Sequence, residues 1–282
     1  MPNTALENLL ERLLDKLDAR APQATQPDWK NINAARWSAQ SASLKPILHP
    51  QRVRVKDLLA IDEQKTRVDA NTRQFVAGKP ANNVLLTGAR GSGKSSLVKA
   101  VHAKYANRGL RLIEVDKTGL ASLPDLFDAL AEVDYRFIIF IDDLTFAEQE
   151  SGYATLKAAL DGSLAGPAEN VLIYATSNRR HLMPEYMAEN LETRHVDGEV
   201  HPGEAIEEKI SLSDRFGLWV SFHAMDQETY LDIARHWADQ LGASTGGGFE
   251  RAALAWTLER SARNGRVAWQ FARDWAGRTT SS

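Results

Sequence analysis

The sequence has 282 residues, a formal net charge of −3 at pH 7 and no cysteine. A chain of this length can bury one large core or two smaller ones. Its charge gives no general attraction to nucleic acid or to an anionic membrane, and without cysteine it forms neither disulfides nor cysteine-ligated zinc sites. No apolar run is long enough to span a membrane, and the N-terminus lacks a signal-peptide pattern. We therefore expect a soluble, cytoplasmic protein with no membrane partner.

The first 54 residues are predicted to form an N-terminal helical segment followed by a linker. Residues 4–19 carry a leucine stripe at helical spacing, which needs to be buried against something. The stripe either packs on the rest of the chain or enters a groove of a partner protein. Residues 22–27 are polar and bounded by proline, as in a linker. Trp29 and Trp37 lie in a stretch whose pattern assigns no structure.

From residue 55 to residue 223 the pattern predicts alternating strands and helices, which is typical of a parallel sheet covered by helices. The predicted strands are residues 84–87, 110–115, 137–142, 171–176 and 218–222. The predicted helices are residues 62–77, 94–107, 124–133 and 153–160. Only helical periodicity follows, at residues 227–241, 249–263 and 267–275. The sequence thus predicts an α/β domain over residues 55–223 and a small helical domain over residues 224–282.

The run G-A-R-G-S-G-K-S matches every fixed position of the phosphate-loop pattern G-x-x-x-x-G-K-[ST]. It follows a predicted strand and precedes a predicted helix, as a phosphate loop does. The alternative is a Gly/Ser-rich surface turn, which does not require a strand before it and a helix after it. Glycine lets backbone N–H groups turn towards phosphate oxygens, and the helix adds its positive end. Lys94 would reach the β- and γ-phosphates, and the Ser95 hydroxyl would hold Mg²⁺. The expected nucleotide-binding residues are Gly88, Ala89, Arg90, Gly91, Ser92, Gly93, Lys94, Ser95 and Ser96.

A second signal is the apolar run F-I-I-F-I, which ends in Asp142 and Asp143. Such a run is typical of a strand buried on both faces, and open α/β sheets bind ligands at the carboxyl ends of their strands. Downstream of a phosphate loop, we expect Asp142 to bind Mg²⁺ and Asp143 to act on the attacking water. A simple Asp-Asp turn is the alternative, because aspartate is common in turns.

With these motifs, the chain over about residues 55–278 resembles the AAA+ ATPase superfamily. The run V-L-I-Y-A-T-S-N resembles the strand that ends in the sensor 1 residue, here Asn178. The run S-L-S-D-R-F-G-L resembles the segment that supplies an arginine finger, here Arg215. The run N-G-R-V-A resembles sensor 2, in which Arg266 opens a late lid helix. The second of these runs, and G-K-P-A-N-N before the loop, are similar to a stand-alone bacterial AAA+ family of unknown function.

The resemblance implies ATP and Mg²⁺ as cofactors, ATP hydrolysis, and a homo-oligomer in which Arg215 acts across a subunit boundary. Asn178 would orient the attacking water or touch the γ-phosphate. The superfamily usually has glutamate where this chain has Asp143, and the shorter side chain must lie nearer or act through a second water. Arg215 could instead cap a helix or pair with its neighbour, and Arg266 could be a solvated residue at a helix start.

Three functions remain open from the sequence. The first is an oligomeric ATPase that couples nucleotide state to remodelling or loading of a macromolecular partner. The second is a slowly hydrolysing, ATP-gated switch or adaptor, including a helicase-loader-like role near nucleic acid. The third, a kinase using the same loop, is disfavoured by the sensor-like Asn178 and Arg266. We expect an unidentified protein partner, and nucleic acid is less favoured, although arginine and tryptophan alternate in the C-terminal helices.

Overall fold

The computed structural model describes residues 26–51, 53–145, 151–160, 169–178 and 212–279. The strands in these residues are β1 (Ala34–Ser38), β2 (Ser43–Pro46), β3 (Val84–Gly88), β4 (Leu110–Val115), β5 (Arg136–Ile141), β6 (Val171–Ser177) and β7 (Leu218–Phe222). The α-helices are α1 (Asp62–Val76), α2 (Lys94–Tyr105), α3 (Leu123–Leu130), α4 (Ser151–Leu160), α5 (Gln227–Gln240), α6 (Phe249–Arg260) and α7 (Gly265–Thr279).

The strands form one sheet in the order β2-β1-β4-β5-β6-β3-β7. Every neighbouring pair is parallel except β1 and β2, which are antiparallel. One face is covered by α1 and α2, whose Val68 and Leu97 are fully buried. The other face is covered by α3 and α4, whose Leu126 and Leu156 are fully buried. The central strands are apolar on both sides because both faces of the sheet are covered.

The C-terminal helices α5, α6 and α7 enclose a separate apolar core. Tyr230 of α5 is fully buried there, and Phe249 packs edge-on against Phe271 with ring centroids 5.1 Å apart. The predicted fold class, a parallel sheet flanked by helices with a small C-terminal helical domain, is confirmed. Of the described helices, none has the length and apolar character needed to cross a lipid bilayer.

The structure adds two strands that we did not predict, β1 and β2. Both strands fall within residues 1–54, which we predicted to be a helical segment and linker. Instead, β1 lies inside the sheet between β2 and β4. Ala35 and Trp37 of β1 are buried, and Trp29 packs edge-on against Phe137 with centroids 5.1 Å apart. The run A-A-R-W-S has no β-branched residue, so its strand conformation comes from pairing with β4 rather than from propensity. The helix predicted at residues 4–19 lies outside the described residues.

Helix α1 covers the outer edge of β7, the last strand of the sheet. Arg67 Nη2 donates a hydrogen bond to the carbonyl oxygen of Trp219 at 2.8 Å. Gln64 Nε2 donates to the carbonyl oxygen of Ser221 at 2.9 Å. These side chains use main-chain acceptors that an additional strand would need.

Candidate functional site

The phosphate-loop pattern lies between β3 and α2, at the carboxyl edge of the parallel strands. Gly88 and Gly91 have φ angles of 136° and 76°, a region that side chains rarely allow. A Cβ atom on Gly88 would lie 2.2 Å from the carbonyl oxygen of Phe222 in β7. Glycine at this position therefore lets the neighbouring strand approach the start of the loop.

Lys94, the first residue of α2, is buried against the loop with 5 % of its surface exposed. Its Nζ donates hydrogen bonds to the carbonyl oxygens of Gly88 and Ala89, at 2.8 and 2.9 Å. It also donates to Asn178 Oδ1 at 3.1 Å. Burial lowers the pKa of Lys94 to about 8, although the two neighbouring aspartates oppose this change. The structure thus holds an ammonium group at the loop with an acceptor for each of its three donors.

Asp142 follows β5, and its side chain is hydrogen-bonded to Ser95 in the first turn of α2. Its Oδ1 accepts a hydrogen bond from Ser95 Oγ at 2.6 Å. The same oxygen accepts a second hydrogen bond from Thr176 Oγ1, also at 2.6 Å. Hydroxyl and carboxylate oxygens are the ligands that Mg²⁺ prefers. The two residues expected to hold the metal are therefore together, and their chemistry fits it.

Asp143 lies beside Asn178, the residue that resembles sensor 1. Asn178 Nδ2 donates a hydrogen bond to Asp143 Oδ1, so the amide of Asn178 contacts both Lys94 and Asp143. Arg90 Nη2 lies 3.5 Å from Asp143 Oδ2, with 74 % and 49 % of the two side chains exposed. An ion pair this exposed contributes little to stability. Arg90 nevertheless places a second cation at the mouth of the loop.

The lid contacts the phosphate loop through the start of α7. Asn264 Oδ1 accepts a hydrogen bond from the Val267 N–H at 3.0 Å and so caps this helix. A Cβ atom on Gly91 would lie 2.4 Å from the same Asn264 oxygen, so the two residues are in close contact. Arg266 is exposed, and its charge contributes to the lowered pKa of Lys94, which places it near the site.

Arg215 lies towards the other end of the sheet, because it precedes Leu218 of β7, which pairs with Val84 at the start of β3, whereas the phosphate loop follows the end of β3. It is partly buried and precedes β7, after a short helical turn at Leu212 and Ser213. The residues in contact with the loop or the first turn of α2 include Asp142 after β5, Asn178 after β6, Phe222 of β7 and Asn264 before α7. The structure therefore brings together the loop, the two acids and Asn178, and it places Arg266 near them, whereas Arg215 precedes the opposite end of the sheet.

Two residues of the cluster, Thr176 and Asn264, were not predicted as site residues. Thr176 lies on β6 and Asn178 directly follows that strand, and side chains two residues apart along an extended chain point to the same side. That spacing was the available signal. Asn264 was visible only as the residue before Gly265 and Arg266, at a position typical of a helix cap.

Comparisons with known proteins agree with this geometry. Residues 30–279 match the family described as "Protein of unknown function (DUF815)", and no curated protein matches the chain. The RuvB Holliday junction branch migration motor of Thermotoga maritima has a similar structure, with a TM-score of 0.50 and 15 % identity, covering 79 % of this chain and 64 % of that one. A single-residue variant of the same RuvB gives a TM-score of 0.51 and 14 % identity, covering 78 % and 63 %.

A DNA replication initiation factor gives a TM-score of 0.48 and 15 % identity, covering 78 % of this chain and 63 % of that one. This chain therefore spans less than two thirds of the length of each of these three solved structures. At such identities the likeness to RuvB shows a shared fold, which is the AAA+ fold.

Proposed function

Since the chain belongs to the DUF815 family of proteins of unknown function, we propose its activity from its site: it binds ATP with Mg²⁺ and hydrolyses it to ADP. The observation that carries this proposal is the chain of contacts from Lys94 through Asn178 to Asp143 at the carboxyl edge of the sheet. It connects a phosphate-binding cation to a carboxylate that can accept a proton. The AAA+ fold supports the proposal because it supplies the frame for such a site.

Binding is assigned to the loop and to the first turn of α2. The backbone N–H groups of residues 88–96 would bind the phosphate oxygens, and the ammonium of Lys94 would offset their charge. Ser95 and Asp142 supply oxygen ligands to Mg²⁺, which when bound offsets charge on the phosphate oxygens. Arg266 approaches the same phosphates from the lid.

Hydrolysis is assigned to Asp143 and Asn178. The carboxylate of Asp143 accepts a hydrogen bond, and then a proton, from the attacking water. Because the Asn178 side chain contacts both Lys94 and Asp143, it can orient that water relative to the terminal phosphate. This arrangement would accelerate hydrolysis mainly by holding the water in position and by stabilising charge. Orientation and charge supply most of the acceleration in phosphoryl transfer.

We assign Arg215 to the site of a neighbouring subunit. Its place before β7, outside the cluster around the loop, supports a role across a subunit boundary in a homo-oligomer. A guanidinium supplied there would stabilise the charge on the departing phosphate. The oligomer would couple its nucleotide state to a macromolecular partner.

A protein partner is favoured over nucleic acid, although the similar RuvB is described as a branch migration motor. Two tryptophans of the lid, Trp256 and Trp275, pack against the lid core and are partly buried, which reduces the ring surface that they offer for stacking. Trp275 Nε1 also donates a hydrogen bond to the carbonyl oxygen of Ser244 at 2.9 Å. Proteins that bind single-stranded nucleic acid commonly stack its bases on exposed aromatic rings.

A slowly hydrolysing, ATP-gated switch is the second candidate. The carboxylate oxygens of Asp143 already face Asn178 and Arg90, so an attacking water has to share these oxygens with two other donors. The shorter aspartate also favours slower turnover than glutamate. ATP turnover per subunit separates the two candidates, because a switch binds Mg·ATP tightly and turns it over at a rate far below the usual enzyme range of about 1 per second or more.

The test compares the wild type with Lys94→Ala and Asp143→Asn by calorimetry and by phosphate release. We expect Lys94→Ala to lose tight ATP binding and Asp143→Asn to bind Mg·ATP with little turnover. Lys99→Ala is the matched control, since Lys99 lies on the same helix but its Nζ contacts Gln51 at 3.2 Å. Unchanged ATP affinity in Lys94→Ala would refute the phosphate-loop assignment.

A further inference from the structure

We propose that the hydroxyl of Thr176 is a positioning group that fixes both acids of the site at once. This inference rests on the proposed ATPase function, and it adds a residue that neither the phosphate-loop pattern nor the sensor-like motifs assign. Thr176 is on β6, which lies between β5 and β3 in the sheet, and 1 % of its surface is exposed. A side chain this buried acts on a bound nucleotide through the residues that it contacts.

The hydroxyl of Thr176 makes two hydrogen bonds, one to each acid. Its Oγ1 donates to Asp142 Oδ1 at 2.6 Å and accepts from the Asp143 N–H at 2.9 Å. A threonine hydroxyl has one hydrogen to donate and can accept as well, so both bonds form at the same time. The side chain of Asp142 and the backbone of Asp143 are thereby tied to one oxygen atom.

On the Asp142 side, the bond restricts the carboxylate that is expected to hold Mg²⁺. Asp142 Oδ1 accepts from Ser95 Oγ and from Thr176 Oγ1, both at 2.6 Å. Two hydroxyl groups from different elements, α2 and β6, therefore fix this oxygen from two directions. Removing the hydroxyl of Thr176 takes away one of these two hydrogen bonds and leaves the bond from Ser95 Oγ, so the carboxylate is less restricted.

On the Asp143 side, the bond supports an unusual backbone conformation. Asp143 has a φ of 57°, a left-handed value that is uncommon for residues other than glycine. Such a conformation persists only where the surroundings hold it. The Asp143 N–H bonds to the hydroxyl of Thr176, and the next N–H, of Leu144, bonds to the main-chain oxygen of Thr176 at 2.6 Å.

The left-handed turn sets where the short Asp143 side chain lies. Because aspartate is one methylene shorter than glutamate, the place of its carboxylate depends mainly on its own backbone. In this structure the turn brings the carboxylate to Asn178. The Thr176 hydroxyl thus acts on both the metal ligand and the water-activating acid, and its loss should change magnesium dependence and turnover more than nucleotide affinity.

The test uses full-length Thr176→Val, Thr176→Ala and Thr176→Ser. We expect valine, which has the shape of threonine without the hydroxyl, to lower kcat by about 10- to 100-fold, since a hydrogen bond to a charged group is lost and an N–H is left unpaired. The affinity for ADP without magnesium should stay within about twofold, while the gain in ADP affinity on adding Mg²⁺ falls by about tenfold. Serine keeps the hydroxyl and should stay near the wild type in both readouts.

Thr72→Val is the matched control. Thr72 is also fully buried, and its hydroxyl bonds to the carbonyl oxygen of Val68 and to the hydroxyl of Tyr174, both at 2.8 Å. The Thr72→Val variant should have a lower melting temperature, with no change in kcat or in the gain in ADP affinity on adding Mg²⁺. Thr176→Ala supplies the same answer if the valine variant does not fold.

The outcomes separate this inference from the proposed function. If the wild type binds no nucleotide, both fail. If the wild type binds and hydrolyses Mg·ATP but Thr176→Val and Thr176→Ala keep the wild-type kcat and magnesium gain, only the role of Thr176 is wrong. If Thr176→Ser were as impaired as Thr176→Val, the role of the hydroxyl would also be wrong, because serine keeps that hydroxyl.

Discussion

Lys94 and His102 are both buried on α2, and burial lowers the pKa of each, with different consequences. The pKa of Lys94 falls to about 8, and its ammonium retains three acceptors at the candidate site. The pKa of His102 falls to about 4, so this imidazole is neutral at neutral pH. Its Nε2 lies 2.8 Å from the carbonyl oxygen of Asn33 and donates to it. His102 thus connects α2 to the chain before β1 and belongs to the fold, not to the site.

The pKa of His102 predicts a pH dependence of stability. In the unfolded chain histidine titrates near its ordinary value of about 6.5, whereas in the folded protein it titrates at about 4. Between these values the unfolded state binds the proton, so the free energy of unfolding should fall as the pH drops through this window. The full contribution of this one group is on the order of 3 kcal/mol.

The check is denaturant unfolding at several pH values between 4.5 and 7. His102→Gln keeps a donor for the Asn33 carbonyl and does not titrate, so its unfolding free energy should vary less with pH. His223→Gln, at an exposed histidine, should behave like the wild type. If the free energy of unfolding changed equally with pH in the wild type and in His102→Gln, His102 would not be the source of the pH dependence.

Which site residues could be predicted from the sequence depends on what fixes each one. Lys94, Ser95 and the two aspartates follow from local patterns, because the loop and the strand end determine their surroundings. Their catalytic and binding roles stay predictions. Thr176 could not be predicted with a role, because its hydroxyl gains one only when β6 lies beside β5 and the turn at Asp143 is formed.

At the scale of elements, the contact between the phosphate loop and the start of α7 predicts a coupling. Gly91→Ala would place a Cβ atom 2.4 Å from Asn264 Oδ1, at a φ of 76°. We expect this variant to lose thermal stability and ADP affinity together, because the loop and the lid must both shift. Asn264→Ala alone should cost about 1 kcal/mol through the lost helix cap.

In the double variant, Asn264→Ala should restore part of what Gly91→Ala loses, because the obstructing amide is gone. The left-handed backbone still costs about 1 kcal/mol or more, so recovery is incomplete. A double-mutant cycle on melting and on ADP affinity measures the coupling. Gly277→Ala on the same helix, where a Cβ meets nothing within 4 Å, is the control. Strict additivity of Gly91→Ala and Asn264→Ala would show that the contact does not matter.

Most strands and helices were predicted to within a few residues, since apolar runs and helical spacing are local signals. The differences have both local and long-range causes. Helix α6 ends at Arg260, earlier than predicted, because Ser261 has a left-handed φ of 47°. Strand β1 was missed because its burial depends on β4, which follows much later in the chain. Pairing over such a distance leaves little trace in a short window of sequence.

At the scale of the whole molecule, the assignment of Arg215 to a neighbouring site predicts complementation between defective subunits. Arg215→Ala subunits keep their own phosphate loop, and Lys94→Ala subunits keep their own arginine. Each preparation alone should hydrolyse ATP poorly, and a mixture should partly recover, because mixed neighbours combine an intact loop with an intact arginine. Phosphate release as a function of mixing ratio is the measurement, with particle mass measured in parallel. A fully active protein that stays monomeric at every concentration would exclude the shared site.

The covered margin of β7 has a consequence for how copies of this chain can meet. Because the side chains of Gln64 and Arg67 are bonded to carbonyl oxygens along that margin, a second molecule cannot extend the sheet there by main-chain pairing. Contacts on that side have to be made between side chains and helices. Such contacts can form and separate without main-chain hydrogen bonds between subunits being broken. They also do not start the strand-by-strand stacking from which cross-β fibres are built.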